Sequence, residues 1–141
     1  MRRAILDTDI LSESIKGYDP IVLRNARAYA SEHGQFETTS VSVHEVLFGL
    51  SRKAASAQAA HFHAWIARNV EHMPLPGDYR FAADIRGAAQ MRGRTLEMAD
   101  CLIAAVAHRL DLPLVTGNLA HYEAMRDAGL TLNLQNWRLV S

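Results

Sequence analysis

Short apolar runs alternate with longer stretches of three-and-four spacing along the whole chain, which predicts strands alternating with helices. Residues 3–6 form a run suited to a buried strand. It is halted by Asp7, Thr8 and Asp9, good helix caps, so a strand-to-helix junction is expected there. Ile10 and Ile15 mark a short helix ending near Gly17. Pro20 opens a second, with Leu23, Ala26 and Ala30 on one face, ending near Gly34. Residues 36–40, rich in Thr, read as a second strand. Ser42 and Glu45 match a capping box, and Val46, Leu47 and Leu50 carry a helix to about Lys53. The Ala-rich stretch 54–67 favours helix, with Phe62, Trp65 and Ile66 as its buried stripe. Residues 70–75 predict a third strand, ended by Pro74, Pro76 and Gly77. Asp78 is expected to cap a helix reaching Arg92, with Ala82, Ile85 and Ala89 inward and Gly93 as its stop. Thr95 is expected to cap another helix running through Leu110. Then come a strand over 112–116, a helix over 118–128 closed by Gly129, and a last strand over 130–134. Trp137 is expected to pack near the end of the chain.

This alternation implies an α/β fold with a parallel sheet covered by helices on both faces. Ligand sites in such sheets lie beyond the carboxyl ends of the strands. At 141 residues, with no repeat, linker or low-complexity tract, a single domain over 1–141 is expected. Fifteen basic and fifteen acidic residues cancel, which excludes a uniformly basic nucleic-acid binder. A polyanionic partner must then be held by a local patch or by metal ions. One cysteine allows no internal disulfide and fits a reducing cytoplasm. The longest apolar run, residues 101–107, is too short to span a bilayer, and no apolar signal-peptide core is expected before Asp7 and Asp9.

Three acidic residues fall where an α/β site is built. Asp7 follows the first strand, Glu45 lies in the first turn after the second, and Asp100 opens the helix before the 112–116 strand. Asp9 is close to Asp7. Converging carboxylates repel, so they coexist only with cations or raised pKa values. Mg²⁺ or Mn²⁺ is the natural cation for oxygen ligands and suits phosphodiester hydrolysis. Plainer readings stand beside this one: Asp7 and Asp9 as helix caps, Glu45 as the far half of a capping box. Asp100 is harder to explain away, because the apolar residues 101–107 follow it and a buried carboxylate needs a partner or a metal.

The chain resembles the PIN-domain ribonucleases, most closely the VapC toxin branch with its FitB-like members. The resemblance rests on Ile5-Leu6-Asp7-Thr8-Asp9-Ile10-Leu11, Ser42-Val43-His44-Glu45-Val46-Leu47-Phe48-Gly49, Ala99-Asp100-Cys101-Leu102-Ile103-Ala104-Ala105 and Leu114-Val115-Thr116-Gly117-Asn118-Leu119-Ala120-His121-Tyr122. It implies a three-layer α/β/α sandwich and a Mg²⁺- or Mn²⁺-dependent endoribonuclease. By it, the acidic positions are Asp7, Glu45 and Asp100, with Asp7 and Asp100 as main metal ligands. The fourth position, acidic in many relatives, is Asn118, which adds no charge. Thr8 and Thr116 match polar positions that orient a ligand or water. The resemblance further implies a type II toxin–antitoxin pair, a small VapB-type antitoxin, a homodimer, and tRNA or ribosomal RNA as substrate. A housekeeping PIN-type RNA or DNA nuclease and a catalytically silent PIN-like binding module are the alternative readings.

Other residues are weighed against plainer roles. Of the seven histidines, His33, His72 and His108 sit near element ends, where dipole effects and solvent explain them. His61 and His63 share no helix face, and His121, near the site, is read as structural. Cys101 beside Asp100 reads as a small core residue rather than a nucleophile. Among the basic pairs, Arg92 and Arg94 precede Asp100 by one loop and are the better candidates for RNA phosphate contacts. Val46, Leu47, Leu50, Phe62 and Trp65 offer more apolar surface than one small sheet covers, which suits an amphipathic partner helix.

Overall fold

A computed structural model of the chain describes residues 1–140. Strand β1 (Ile5–Leu6) leads into helices α1 (Thr8–Lys16) and α2 (Pro20–His33). Strand β2 (Glu37–Thr39) is followed by α3 (Ser40–Arg52) and α4 (Ser56–Ala67), and β3 (Val70–His72) by α5 (Pro76–Met91) and α6 (Met98–Leu110). Strand β4 (Leu114–Val115), α7 (Leu119–Asp127) and β5 (Leu134–Gln135) complete the described chain. The strands form one parallel sheet in the order β3-β2-β1-β4-β5.

Successive strand residues point to opposite faces, and the two faces have separate cores. Ile5 and Leu114 pack with α5, α6 and α7, through Ile85, Ile103, Tyr122 and Met125 among others. Leu6 and Val115 pack on the other face with Ile10, Val22, Tyr29 and Phe62, from α1, α2 and α4. The result is the expected three-layer α/β/α sandwich. Among the described residues no helix is long and apolar enough to cross a membrane.

Several expected boundaries move, each for a local reason. Helix α3 begins at Ser40, because the hydroxyl of Thr39, not Ser42, caps it by accepting from Ser42 N at 3.2 Å. Ser42 is therefore inside the helix and the capping box with Glu45 does not form. Asp78 is not the cap of α5 either. That helix starts at Pro76, and Asp78 reaches back to accept from Leu75 N at 2.8 Å while Arg109 Nε donates to it at 3.0 Å. Helix α6 starts at Met98 after Glu97, which leaves Thr95 in the preceding loop. The third strand stops at His72, before Pro74, which has no N–H for a ladder. The last strand is displaced to Leu134–Gln135, because Leu130 N bonds Met125 O and Leu132 O accepts from Arg126 Nε, both tied to the end of α7.

His72 is held by more than dipole and solvent. Its Nε2 lies 2.8 Å from Glu37 on the neighbouring strand. Glu37 is buried, which by itself would raise its pKa. Hydrogen bonds from Arg3 and His72 outweigh burial and hold the carboxyl below its ordinary value.

Candidate active site

All five strands are parallel, so their carboxyl ends share one edge. The chain runs outward from β1 through β2 to β3, then returns to β4 beside β1. The crevice between the ends of β1 and β4 is thus the switch point, where α/β sheets bind ligands. Asp7 follows β1 and Thr116 follows β4, with Asp7 N bonded to Val115 O at 2.9 Å.

The segment from Thr116 to His121 hands a partner to each of three carboxylates. Thr116 Oγ1 donates to Asp7 Oδ2 at 2.7 Å, and Gly117 N donates to Asp9 Oδ2 at 2.9 Å. His121 Nδ1 lies 3.0 Å from Asp100 Oδ2. Thr116 Oγ1 also accepts from Asn118 N at 2.9 Å, so one buried hydroxyl fixes both Asp7 and the entry to α7. Asp7 accepts from Thr8 N through its other oxygen at 2.8 Å, which makes it the cap of α1 as well as a site residue. Glu45, released from the capping box, accepts from Thr8 Oγ1 at 2.6 Å. Ser42 Oγ is 3.0 Å from the same hydroxyl. Having given its one proton to Glu45, Thr8 takes Ser42 as donor.

Burial pushes the Asp7 carboxyl up to about 6. The bonds from Thr116 and Thr8 oppose the rise, and the charges of Asp9 and Asp100 add to it. Asp100 is raised too, first by burial, while its bond with His121 pulls the other way. Buried negative charge is thus concentrated between β1 and α6, the condition a bound cation relieves. A buried Asp9 oxygen, Oδ1, has no hydrogen-bond partner among the described residues. Among those residues no three His, Cys, Asp or Glu side chains form a ready ligand set. The carboxylates of Asp7 and Asp100 nevertheless suit Mg²⁺, which commonly takes one or two carboxylates and keeps several waters.

Of the residues singled out in the sequence, hydrogen bonds join Asp7, Thr8, Thr116 and Asn118 in one connected group, with Glu45 linked through Thr8. Asp100 enters through His121 and through the charge it exerts on Asp7. His121 makes the local hydrogen bond expected of it, but its side chain is 54% exposed rather than buried. Cys101 is a core residue, its thiol pushed up to about 11 by burial. Arg92 and Arg94 are exposed beyond α5, and neither side chain has a hydrogen bond or ion pair among the described residues.

Arg138 was missed. Its Nε lies 3.8 Å from Asp9 Oδ2 and its Nη1 3.2 Å from Asp19 Oδ2. The signal is a lone Arg after Trp137, which no local periodicity distinguishes. Asn136 Oδ1 accepts from Arg138 N, and Asn25 holds Trp137 O, so this turn is anchored at the site's edge. Gly117 permits the assembly. A Cβ there would collide with the Asp9 carboxylate and stand 3.1 Å from Arg138 Nε. Gly117→Ala should therefore cost about 1–3 kcal/mol through overpacking. Urea unfolding checks this; an unchanged midpoint would show that Asp9 and Arg138 are free to move aside.

The PIN domain family model matches residues 4–126. No curated protein matches the chain. Among solved structures, VapBC2 from Rickettsia felis, bound to a promoter DNA fragment, superposes with a TM-score of 0.79 at 19% identity, covering 96% of this chain and 99% of that one. DNA-bound VapBC from Salmonella typhimurium gives 0.79 at 20% identity, covering 97% and 99%. FitAcB from Neisseria gonorrhoeae gives 0.72 at 18% identity, covering 97% and 99%. At these identities the likeness is one of fold. With the family model spanning nearly the whole chain and both site strands, the chain belongs to the PIN domain family.

Proposed function

We propose that the chain is a Mg²⁺- or Mn²⁺-dependent endoribonuclease, the toxin of a type II toxin–antitoxin pair. Membership of the PIN domain family supports a nuclease in general, and structural neighbours that are VapBC and FitAB complexes support the toxin reading. The observation that carries the proposal is the acidic cluster of buried Asp7 and half-buried Asp9 and Asp100, hung from the Thr116–His121 segment at the sheet's switch point.

Asp7 and Asp100 would hold the metal, and Glu45 would serve as a further ligand or as the base that positions water. A bound divalent cation supplies an activated water and neutralises charge developing on the phosphate. Thr8 orients Glu45, Thr116 orients Asp7, and Asn118 stands at the fourth position as a neutral oxygen donor. Arg92 and Arg94 lie on the exposed approach to α6 and suit RNA phosphates. The RNA is a tRNA or ribosomal RNA cut in a single-stranded loop, since splayed nucleotides fit a narrow site. A cytoplasmic location follows from such a substrate.

The partner is a small VapB-type antitoxin bound to a homodimer of this chain. Phe62 belongs to the core and Trp65 is half-buried against Phe36 and Phe62, so these two offer less surface than their spacing suggests. Leu47 and Leu50 instead line a cleft of about 500 Å³ with Ala55, Ala59 and His63, between α3 and α4. That cleft suits an apolar helix face.

Purified chain incubated with total RNA should cut it in Mg²⁺ or Mn²⁺ and leave it intact in EDTA. Sequenced ends should fall in tRNA or ribosomal RNA loops. Cleavage indifferent to EDTA, or scattered over unstructured RNA, would overturn the reading.

A further inference from the structure

Helix α3 opens on the acidic site, where Glu45 meets Thr8, and one exposed face of the helix leads away from it. Phe48 and Arg52 follow Glu45 by three and seven residues, so all three share that face, and His44 stands one turn before Phe48. His44 and Arg52 are exposed, and Phe48 is 61% exposed. The three flat groups lie side by side. The His44 and Phe48 rings are 16° from parallel with centroids 6.4 Å apart, and the Arg52 guanidinium carbon lies 6.0 Å from the Phe48 centroid. Gly49, four residues after Glu45, has open space where a side chain would stand, so none closes the lane from Glu45 to Arg52. A single exposed aromatic is ordinary on a protein surface. A phenyl set between an imidazole and a guanidinium, in line with a carboxylate of the site, is a composed surface.

The chemistry of this stripe selects its occupant. A phenyl face takes any nucleobase by stacking, and a guanidinium takes a phosphate. The chain's charge is zero overall, so a polyanion needs such a local cation. An apolar helix fits less well here, because the aliphatic residues Leu47 and Leu50 of α3 turn instead into the cleft with α4. At about 1.5 Å per residue, Phe48 and Arg52 lie about 4.5 and about 10 Å along α3 from Glu45. Stacked nucleotides are spaced about 3.4 Å apart along a strand, so this is the reach of the first few nucleotides beside the cut. We propose that His44, Phe48 and Arg52 form a stacking track for single-stranded RNA: Phe48 carries a base flanking the scissile phosphate, His44 extends the stacking surface, and Arg52 holds a backbone phosphate of that strand. The inference rests on the nuclease reading above and adds where the strand lies.

A short fluorescein-labelled single-stranded oligoribonucleotide of mixed sequence serves as probe. It is titrated by anisotropy in Mn²⁺ with the full chain carrying Asp7→Asn, so that the strand is bound without being cut. In that background Phe48→Leu should weaken binding about tenfold, and Phe48→Trp should hold it near the starting affinity, because stacking needs a ring and not merely apolar bulk. Arg52→Gln should lower the slope of log affinity against log salt by about 0.7, the share of one phosphate contact on a single strand. Unchanged binding in Phe48→Leu, or equal loss in Phe48→Leu and Phe48→Trp, overturns the track. So does a change of oligomeric state in Phe48→Leu by sedimentation, which would give this face to a second copy of the chain. Cutting of total RNA by the wild type separates the two readings: if it persists while these binding results fail, the track alone falls, and if it is absent, the nuclease reading falls and takes the track with it.

Discussion

Asp7→Asn should lower RNA cleavage by more than about 100-fold and, at neutral pH without metal, make the chain more stable. Both effects come from one charge. Asp7 is 2% exposed, and its carboxyl is pushed from 3.8 up to about 6, chiefly by burial. Below 3.8 the group is protonated in the folded and unfolded chain alike. Between 3.8 and about 6 only the folded chain holds the proton, so stability falls as pH rises through that window. Above about 6 the folded chain carries a buried, ionised Asp7 at its full cost. A shift of this size corresponds to about 3 kcal/mol at most, at roughly 1.4 kcal/mol per pH unit. Asn keeps the carbonyl oxygen for one of the two donors but loses the charge-assisted part of both bonds. The net gain at pH 7 should therefore be about 1–3 kcal/mol. Denaturant unfolding in EDTA at pH 4, 5, 6 and 7 measures it: the wild type should weaken over this range relative to the variant. A variant less stable than wild type at pH 7 would show that hydrogen bonds, not charge, dominate at Asp7. A variant that still cuts RNA at the wild-type rate would remove Asp7 from the chemistry.

On the proposed reading, activity and stability oppose each other at this position because the folded chain buries a carboxylate that water would solvate, with other acids nearby. The same tension acts at Asp100, raised by burial and eased by His121. A divalent cation would relieve it, so if the proposed metal site holds, adding Mg²⁺ or Mn²⁺ should raise the unfolding temperature.

Local signals made most of this architecture legible in the sequence. Apolar runs before Asp7 and after Leu112, and helix stops at Gly17, Gly34 and Gly93, are short-range features, and the structure keeps them. Glu45 shows where such reading runs out. Its spacing from Ser42 is that of a capping box, yet Thr39 wins the cap because its hydroxyl reaches Ser42 N one turn earlier. Glu45 is then free to meet Thr8, 37 residues away, which no local spacing records. Arg138 is a stronger case, since its partners Asp9 and Asp19 lie far along the chain and only the sheet's return to β1 brings them together.

Thr116→Val tests the segment that organises the cluster. Thr116 is completely buried, and valine nearly matches its shape, so the change removes one hydroxyl without opening a cavity. That hydroxyl donates to Asp7 Oδ2 and accepts from Asn118 N. Without it a buried carboxylate loses a donor and a backbone N–H at the start of α7 loses its acceptor. Buried groups left unpaired in this way cost about 1–3 kcal/mol. Asp7, deprived of a bond that favours its ionised form, should also be pushed further up from about 6. Cleavage should fall by about 10–100-fold, as for other changes to groups that orient a metal-binding carboxylate. Thr116→Ser separates this from packing, because it restores the hydroxyl while giving up the methyl group. Measured side by side, Thr116→Ser should cut RNA near the wild-type rate and Thr116→Val should not. Equal loss in both variants would assign Thr116 to the core, and equal retention would show that the bond from Thr8 N suffices to orient Asp7.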